Sequence, residues 1–185
     1  MNVVGIVGSP RVDGTTDALV RKVLDGCEDA GAGTEVFHLG GLDIHGCRAC
    51  MSCRETGVCV QDDDMGLLYD RIREADAVVL GTPIFFWYMT GQMKSFTDRL
   101  FAFMKPGFEH RLGDGRKTVV VVTQGADSDV FESQIEAMKS AWSYVGLEAV
   151  DTIKGMGYAG PEDIAEDGEL MARAFEAGRK LAGGA

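Results

Sequence analysis

Val3-Val4-Gly5-Ile6-Val7-Gly8-Ser9-Pro10-Arg11-Val12-Asp13-Gly14-Thr15-Thr16 begins as a short apolar run, breaks at Gly8 into a turn of small and hydroxyl-bearing residues, and enters a helical pattern. The apolar run reads as a strand buried on both faces. The turn brings unpaired backbone N–H groups and the positive end of a helix dipole to one place, which suits a phosphate. Ser9, Thr15 and Thr16 would add hydroxyl donors, Arg11 a charge, and Gly14 close backbone approach. The turn lacks both the Gly-x4-Gly-Lys-Ser/Thr spacing of nucleotide hydrolases and the Gly-x-Gly-x2-Gly spacing of dinucleotide folds, so a single phosphate is the better fit. An ordinary strand-to-helix turn capped by Thr15 or Thr16 is the competing reading.

The same alternation continues outward. Apolar runs at Glu35 to Leu39, Ala77 to Gly81, Thr118 to Thr123 and, more weakly, Leu147 to Ile153 are separated by helical periodicity. The helical stretches are Thr16 to Ala30, Met65 to Glu74, Gly91 to Met104, Val130 to Val145 and Pro161 to Leu181. Strands alternating with crossover helices predict an α/β fold: a doubly wound, five-stranded parallel sheet of flavodoxin-like type, order 2-1-3-4-5, with helices on both faces. Two longer irregular segments interrupt it, Gly40 to Asp64 and Lys105 to Arg116, and long loops in a compact domain are commonly functional. The second is expected as a candidate lid.

Ligands of open α/β sheets lie beyond the carboxyl ends of the strands. The third strand ends there in Thr82-Pro83-Ile84-Phe85-Phe86-Trp87-Tyr88-Met89, and its four consecutive aromatics suit a flat heteroaromatic ring. Packing or a subunit contact is the alternative. The fourth strand ends in Thr123-Gln124-Gly125-Ala126, where backbone N–H groups could meet a ring carbonyl or nitrogen. Three such loops on one rim favour a bound ligand over three plain turns.

The chain has 185 residues, 45% of them apolar, enough for one sizeable core. Its net charge of -11 argues against nucleic acid or an anionic membrane as partner. No apolar run reaches the roughly 18 residues of a membrane span, so a cytoplasmic location is expected.

Four of the five cysteines fall in Cys47-x2-Cys50-x2-Cys53-x5-Cys59. In a reducing compartment, such clusters are ligands more often than disulfides. The repeated x2 spacing suits a [4Fe-4S] cluster. Zinc prefers two well-separated Cys-x2-Cys knuckles, and an unmetallated thiol loop, including a redox-sensing module, is the third reading. Cys27 shares a helical face with Val20, Val23 and Leu24 and reads as a packing thiol. His45 reads as a solvated loop residue, Asp62 to Asp64 as helix-capping carboxylates, and Lys94 with Asp98 as a surface pair. Arg48 and Arg54 flank the cysteines, where they could raise a cluster's potential or guide an acidic electron carrier, solvated surface arginines being the competing reading.

Taken together, Gly8 to Thr16, Thr82 to Arg99 and Cys47 to Cys59 resemble the iron-sulfur flavoproteins, a branch of the NADPH-dependent FMN reductase group with a flavodoxin-like fold. The resemblance spans essentially the whole chain and implies a single FMN-binding domain over residues 1–185, with a cysteine-rich insertion at about 45–64. It implies that Ser9, Arg11, Gly14, Thr15 and Thr16 hold the FMN phosphate. Pro83, Ile84, Phe85, Phe86 and Trp87 would lie beside the isoalloxazine, and Thr123, Gln124 and Gly125 at its far edge. Cys47, Cys50, Cys53 and Cys59 would bind a [4Fe-4S] cluster. It further implies a homodimer or homotetramer. Electrons would pass from a ferredoxin-like carrier through the cluster to FMN and on to a small acceptor. The alternative from the same fold is an NAD(P)H-dependent FMN or quinone reductase with idle cysteines. Neither scheme needs a side chain as nucleophile or general acid, so no catalytic residue is expected.

Overall fold

A computed structural model describes residues 1–107 and 109–183. In chain order it contains β1 (Asn2–Val7), α1 (Thr15–Asp29), β2 (Gly33–His38), α2 (Ser52–Thr56), α3 (Met65–Glu74), β3 (Ala77–Phe85), β4 (Tyr88–Met89), α4 (Gly91–Arg99), β5 (Arg116–Gln124), α5 (Glu132–Ser143), β6 (Leu147–Met156), α6 (Pro161–Glu166) and α7 (Gly168–Gly183). The parallel strands run in the order β2-β1-β3-β5-β6. This is the expected flavodoxin-like path. The sheet nevertheless has six strands and not five, because β4 pairs antiparallel with the end of β3.

Strand alternation builds two cores. Val4 and Ile6 of β1, Val78 and Leu80 of β3, and Val120 and Val122 of β5 face one way, against Leu68 and Ile72 of α3, Phe96 of α4 and Trp142 of α5. Val3 and Val7, Ala77 and Val79, and Val119 and Val121 face the other way, against Leu19, Val20 and Val23 of α1 and Ala177 and Leu181 of α7. Each such valine or isoleucine removed from water contributes about 1.5–3 kcal/mol as an upper estimate, which explains why all three central strands read as unbroken apolar runs. Helices α1 and α7 touch backbone to backbone. A Cβ at Gly26 would lie 1.9 Å from the Phe175 carbonyl oxygen, and one at Gly178 would lie 1.8 Å from that of Val23. Cys27 is buried in this seam with its Sγ 3.3 Å from the Gly178 oxygen, as a packing thiol should be.

Three helices differ from the periodicity. The stretch expected as one helix over 91–104 stops at Arg99 and tightens into a 3-10 turn, Leu100–Phe103, which keeps Leu100, Ala102, Phe103 and Met104 all buried. The stretch 130–145 is helical only over Glu132–Ser143. The final stretch breaks at Asp167, whose carboxylate accepts the Leu170 N–H at 2.9 Å and so starts α7 afresh. In β6, a register shift opposite Thr118 and Val119 leaves Val150 as the extra, exposed residue of a bulge. No helix among the described residues is long and apolar enough to cross a membrane.

Candidate functional site

The sheet order reverses between β1 and β3, and the carboxyl ends of β1, β3 and β5 meet there. Hydrogen bonds tie the three ends together. The Gly8 N–H donates to the Gly81 oxygen at 2.7 Å, and the Thr90 hydroxyl donates to the Gly8 oxygen at 2.6 Å. The Thr16 and Thr123 hydroxyls share a buried bond of 2.7 Å. Thr90 also caps α4 by accepting the Met93 N–H at 3.1 Å.

A cleft opens on this frame, lined by Arg11, Thr15, Pro83, Ile84, Phe85, Thr123, Gln124, Gly125, Gly155 and Tyr158. Eight of these are residues the sequence singles out. Gly155 and Tyr158, at and beyond the end of β6, are additions, and Tyr158 is oriented by donating its hydroxyl to Asp167. That bond and partial burial push its phenol up to about 12.

The turn before α1 keeps its helix end free. Gly14 is the N-cap and no side chain caps the helix, so the Thr15 or Thr16 cap of the competing reading is absent. The N–H groups of Thr15, Thr16 and Asp17 meet no acceptor among the described residues. Ser9 lies buried with its hydroxyl 3.2 Å from both the Arg11 N–H and the Arg11 oxygen, so it shapes the turn from within. Thr16 likewise serves the frame, whereas Thr15 and Arg11 face the cleft.

Phe86 and Trp87, expected beside a ring with Phe85, are not among the residues that line this cleft. They form the two-residue tip of a hairpin whose arms pair Ile84 with Met89 and Phe85 with Tyr88. Both have positive φ, 41° and 79°, and Phe86 is fully exposed. Trp87 stands edge-on to Phe131, with ring centroids 5.5 Å apart.

The cysteine loop runs from the end of β2 to α3. Asp63 anchors it with a fully buried side chain, accepting two bonds from Arg99, the His45 N–H at 3.0 Å and the Met65 N–H at 3.2 Å. Burial alone would raise its pKa, but Arg99 and these N–H groups hold the carboxyl down at about 2. Asp63 is thus an anchor more than a cap, while Asp64 accepts the Asp43 N–H at 2.7 Å and offers α3 no side-chain cap. The His45 ring sits between Asp43 and Asp63, 3.6 and 3.4 Å from their oxygens. Lys94 and Asp98 form the expected surface pair, at 2.6 Å.

Within the loop, Ala49 and Met51 adopt left-handed conformations, φ 52° and 63°, that turn backbone N–H groups toward sulfur. The Ala49 N–H points at Cys47 Sγ at 3.5 Å, and the Ser52 N–H and hydroxyl lower the Cys50 pKa below the ordinary thiol value. Cys53 is raised, first by burial and then by the proximity of Cys59, Cys47 and Cys50, so all four thiols share one neighbourhood. Among the described residues no three His, Cys, Asp or Glu side chains lie close enough to hold one metal ion. A zinc would want sulfurs about 3.8 Å apart, from Zn–S bonds of about 2.3 Å. The loop thus aims N–H groups at two of its four thiols, contacts of the kind that tune thiolate ligands wherever they hold a metal centre.

No described residue of the segment 105–116 lines the cleft, and Phe108 within it lies outside the described residues. The segment leads into the amino end of β5, away from the rim, and braces the cysteine loop instead. Arg111 Nη2 donates to the Arg54 oxygen at 2.8 Å and the Glu55 oxygen at 3.2 Å, and Arg73 Nη2 donates to the Gly57 oxygen at 2.9 Å.

An open parallel sheet with an uncapped helix end, a ring-sized cleft and a strand-end turn on one rim defines the flavodoxin-like class of flavin proteins. The family model for NADPH-dependent FMN reductase matches residues 1–155. The chain belongs to that family, in its iron-sulfur flavoprotein branch. It is 31% identical over 184 residues to an iron-sulfur flavoprotein of Archaeoglobus fulgidus, covering 95% of this chain and 81% of that one. An iron-sulfur flavoprotein of Methanocaldococcus jannaschii is 30% identical over 186 residues, covering 98% and 96%. Among solved structures, an NAD(P)H:quinone oxidoreductase from Methanothermobacter marburgensis superposes with a TM-score of 0.76 at 20% identity, covering 98% of this chain and 96% of that one, and attests the fold. The protein is accordingly a flavin-dependent oxidoreductase that uses FMN.

Proposed function

We propose that the protein moves electrons between a [4Fe-4S] cluster held by Cys47, Cys50, Cys53 and Cys59 and an FMN held in the cleft. One observation carries the flavin half: the unpartnered N–H groups of Thr15, Thr16 and Asp17 border a cleft lined by Pro83 to Phe85 and Thr123 to Gly125. These N–H groups, the Thr15 hydroxyl and Arg11 bind the phosphate. Pro83, Ile84 and Phe85 take one side of the isoalloxazine and exclude water there, Gly125 leaves open space at its edge, and Tyr158 closes the remaining side. Arg99 and Asp63 hold the cysteine loop in shape. The two groups supply the chemistry, one-electron exchange at the cluster and one- or two-electron exchange at the flavin, while the chain sets access and potential.

The electron donor is a small acidic carrier of the ferredoxin type, met by Arg48 and Arg54 beside the cysteines, and the acceptor is a small molecule at the flavin. Assembly as a homodimer or homotetramer is supported by the exposed apolar tip Phe86-Trp87 with neighbouring Val130. Anaerobic purification followed by iron, acid-labile sulfide and visible-spectrum analysis tests the core of the reading. About four iron and four sulfide per FMN are expected, and Cys53→Ala should lose the cluster absorbance while retaining FMN. Stoichiometric zinc, or both groups at full occupancy in Cys53→Ala, would sink it.

The family's name favours a second reading, in which NADPH reduces the flavin directly and the cysteines are idle. Anaerobic mixing with NADPH separates the two: rapid flavin bleaching without a ferredoxin supports direct reduction, and bleaching only through a reduced carrier supports the cluster route.

A further inference from the structure

Asp17 puts a negative charge inside the helix end that receives the phosphate. It is the third residue of α1, and its side chain is fully buried. Every carboxylate contact in the structure is accounted for: Oδ2 accepts the Asp13 N–H at 3.0 Å and Arg21 Nε at 3.1 Å, and Oδ1 meets His38 Nε2 at 2.8 Å. Burial opposes its ionisation, but His38, Arg21 and the Asp13 N–H outweigh that and lower its pKa. As a bare charge it would repel an arriving phosphate. Its contacts perform a different task. Asp13 has φ 57°, a left-handed conformation that aspartate tolerates better than most side chains, and the bond from its N–H to Asp17 holds the turn in it. His38 ends β2, so the same carboxylate ties the turn to the neighbouring strand. Behind the turn, the Gly40 backbone passes so close that a Cβ there would lie 3.2 Å from Pro10 Cα.

We propose that Asp17 is the positioning residue of the phosphate turn: through Asp13 and His38 it fixes the course of residues 11–14, and so presents Arg11, Thr15 and the free N–H groups to the FMN phosphate. The proposal rests on the FMN reading above and names the part of that site which discriminates FMN from riboflavin. Asp17 touches no ligand itself. Its contribution to phosphate binding is indirect and exceeds the repulsion of its charge.

Flavin titration of the anaerobic apoprotein, with FMN and riboflavin in parallel, tests this. Asp17→Ala is expected to weaken FMN about tenfold, the worth of roughly one charge-assisted hydrogen bond, while changing riboflavin affinity less than about twofold. Asp17→Asn keeps an oxygen for the Asp13 N–H and removes the charge, so it should restore FMN affinity to the wild-type level or above. His38→Gln should fall between wild type and Asp17→Ala, and it keeps the test alive if the alanine variant does not fold. Unchanged or tighter FMN binding by Asp17→Ala overturns the proposal, because the carboxylate would then act only as a repelling charge. Parallel losses for both flavins, tracking a fall in urea midpoint, overturn it in favour of a general folding role. A wild-type protein that binds FMN and riboflavin equally refutes the phosphate-site reading itself, a failure visible before any variant is made.

Discussion

Arg99 grips Asp63 with both ends of its guanidinium, Nη1 to Oδ2 at 2.6 Å and Nη2 to Oδ1 at 2.9 Å, and the two side chains are 1% and 0% exposed. Arg99 also donates to the His45 oxygen at 2.9 Å, and the Tyr69 hydroxyl donates to the Arg99 oxygen at 2.7 Å. The pair thereby fastens the first and last turns of the cysteine loop to α3 and α4, which carry the core.

Acid should release this fastening. The Asp63 carboxyl lies at about 2 in the folded protein against an ordinary 3.8. A lowered folded value means stability that is fully present above pH 3.8 and is lost as pH falls through about 2. At roughly 1.4 kcal/mol per pH unit, the contribution is about 2 kcal/mol. Urea unfolding of the apoprotein at pH 6, 3 and 2 should show Asp63→Asn less stable than wild type at pH 6, with the gap closing toward pH 2. A constant gap would mean that the charge of Asp63 contributes nothing.

The brace beneath the loop makes a separate prediction. Gly57 has φ 73°, and a Cβ there would lie 2.9 Å from Arg111 Cδ and Nε, so Gly57→Ala both strains the backbone and displaces Arg111. Arg111→Met removes its bonds to the Arg54 and Glu55 oxygens directly. With the proposed cluster in place, both variants should release iron to a chelator about tenfold faster than wild type under anaerobic conditions, the equivalent of about 1.4 kcal/mol, and both should retain FMN. Arg111→Lys keeps the charge but not the fork, and should release iron at an intermediate rate. Wild-type rates in Arg111→Met would show that the brace is idle.

Thiol chemistry should divide the five cysteines into three classes. Burial pushes the Cys27 thiol up to about 12, so it stays protonated and shielded at neutral pH. Cys47 and Cys50 are exposed, and Cys53 and Cys59 half-buried. Reduced, metal-free native protein should therefore react with a disulfide reagent at four thiols, two fast and two slower. The fifth should appear only on unfolding. A fifth fast thiol in the native state would contradict the packing role of Cys27.

The features legible in the sequence are those whose signal is local. Val4 and Ile6 face one core and Val3 and Val7 the other, so an unbroken apolar run announces a central strand. The cysteine spacing and the Gly8 to Thr16 turn are likewise complete within a few residues. Arg99 stayed hidden because its meaning lies in a partner 36 positions away, and Tyr158 because the end of β6 reaches the rim only after folding. Residues 105–116 looked like a lid by length alone, which carries no information about the end of the sheet they occupy. The pair Phe86-Trp87 escaped as a turn because a two-residue hairpin is announced by Asn-Gly or Asp-Gly, residues that take positive φ readily.

That hairpin yields the last prediction. Two aromatic residues at φ 41° and 79° occupy a turn suited to small residues, and strain of this kind costs about 1–3 kcal/mol per residue. The same tip exposes both rings to water, Phe86 fully and Trp87 at 68%. An isolated chain would thus gain from the double substitution Phe86→Asn with Trp87→Gly, which suits the turn and removes the apolar tip. Thermal unfolding of dilute protein should shift upward by several degrees, at about 2–4 °C per kcal/mol for a chain of this size. If the tip is covered in the assembly, sedimentation at higher concentration should show the variant as a smaller species than wild type. A lower melting temperature together with an unchanged sedimentation profile would mean that the aromatic pair is stabilised within the single chain, with its edge-to-face contact between Trp87 and Phe131 outweighing the strain.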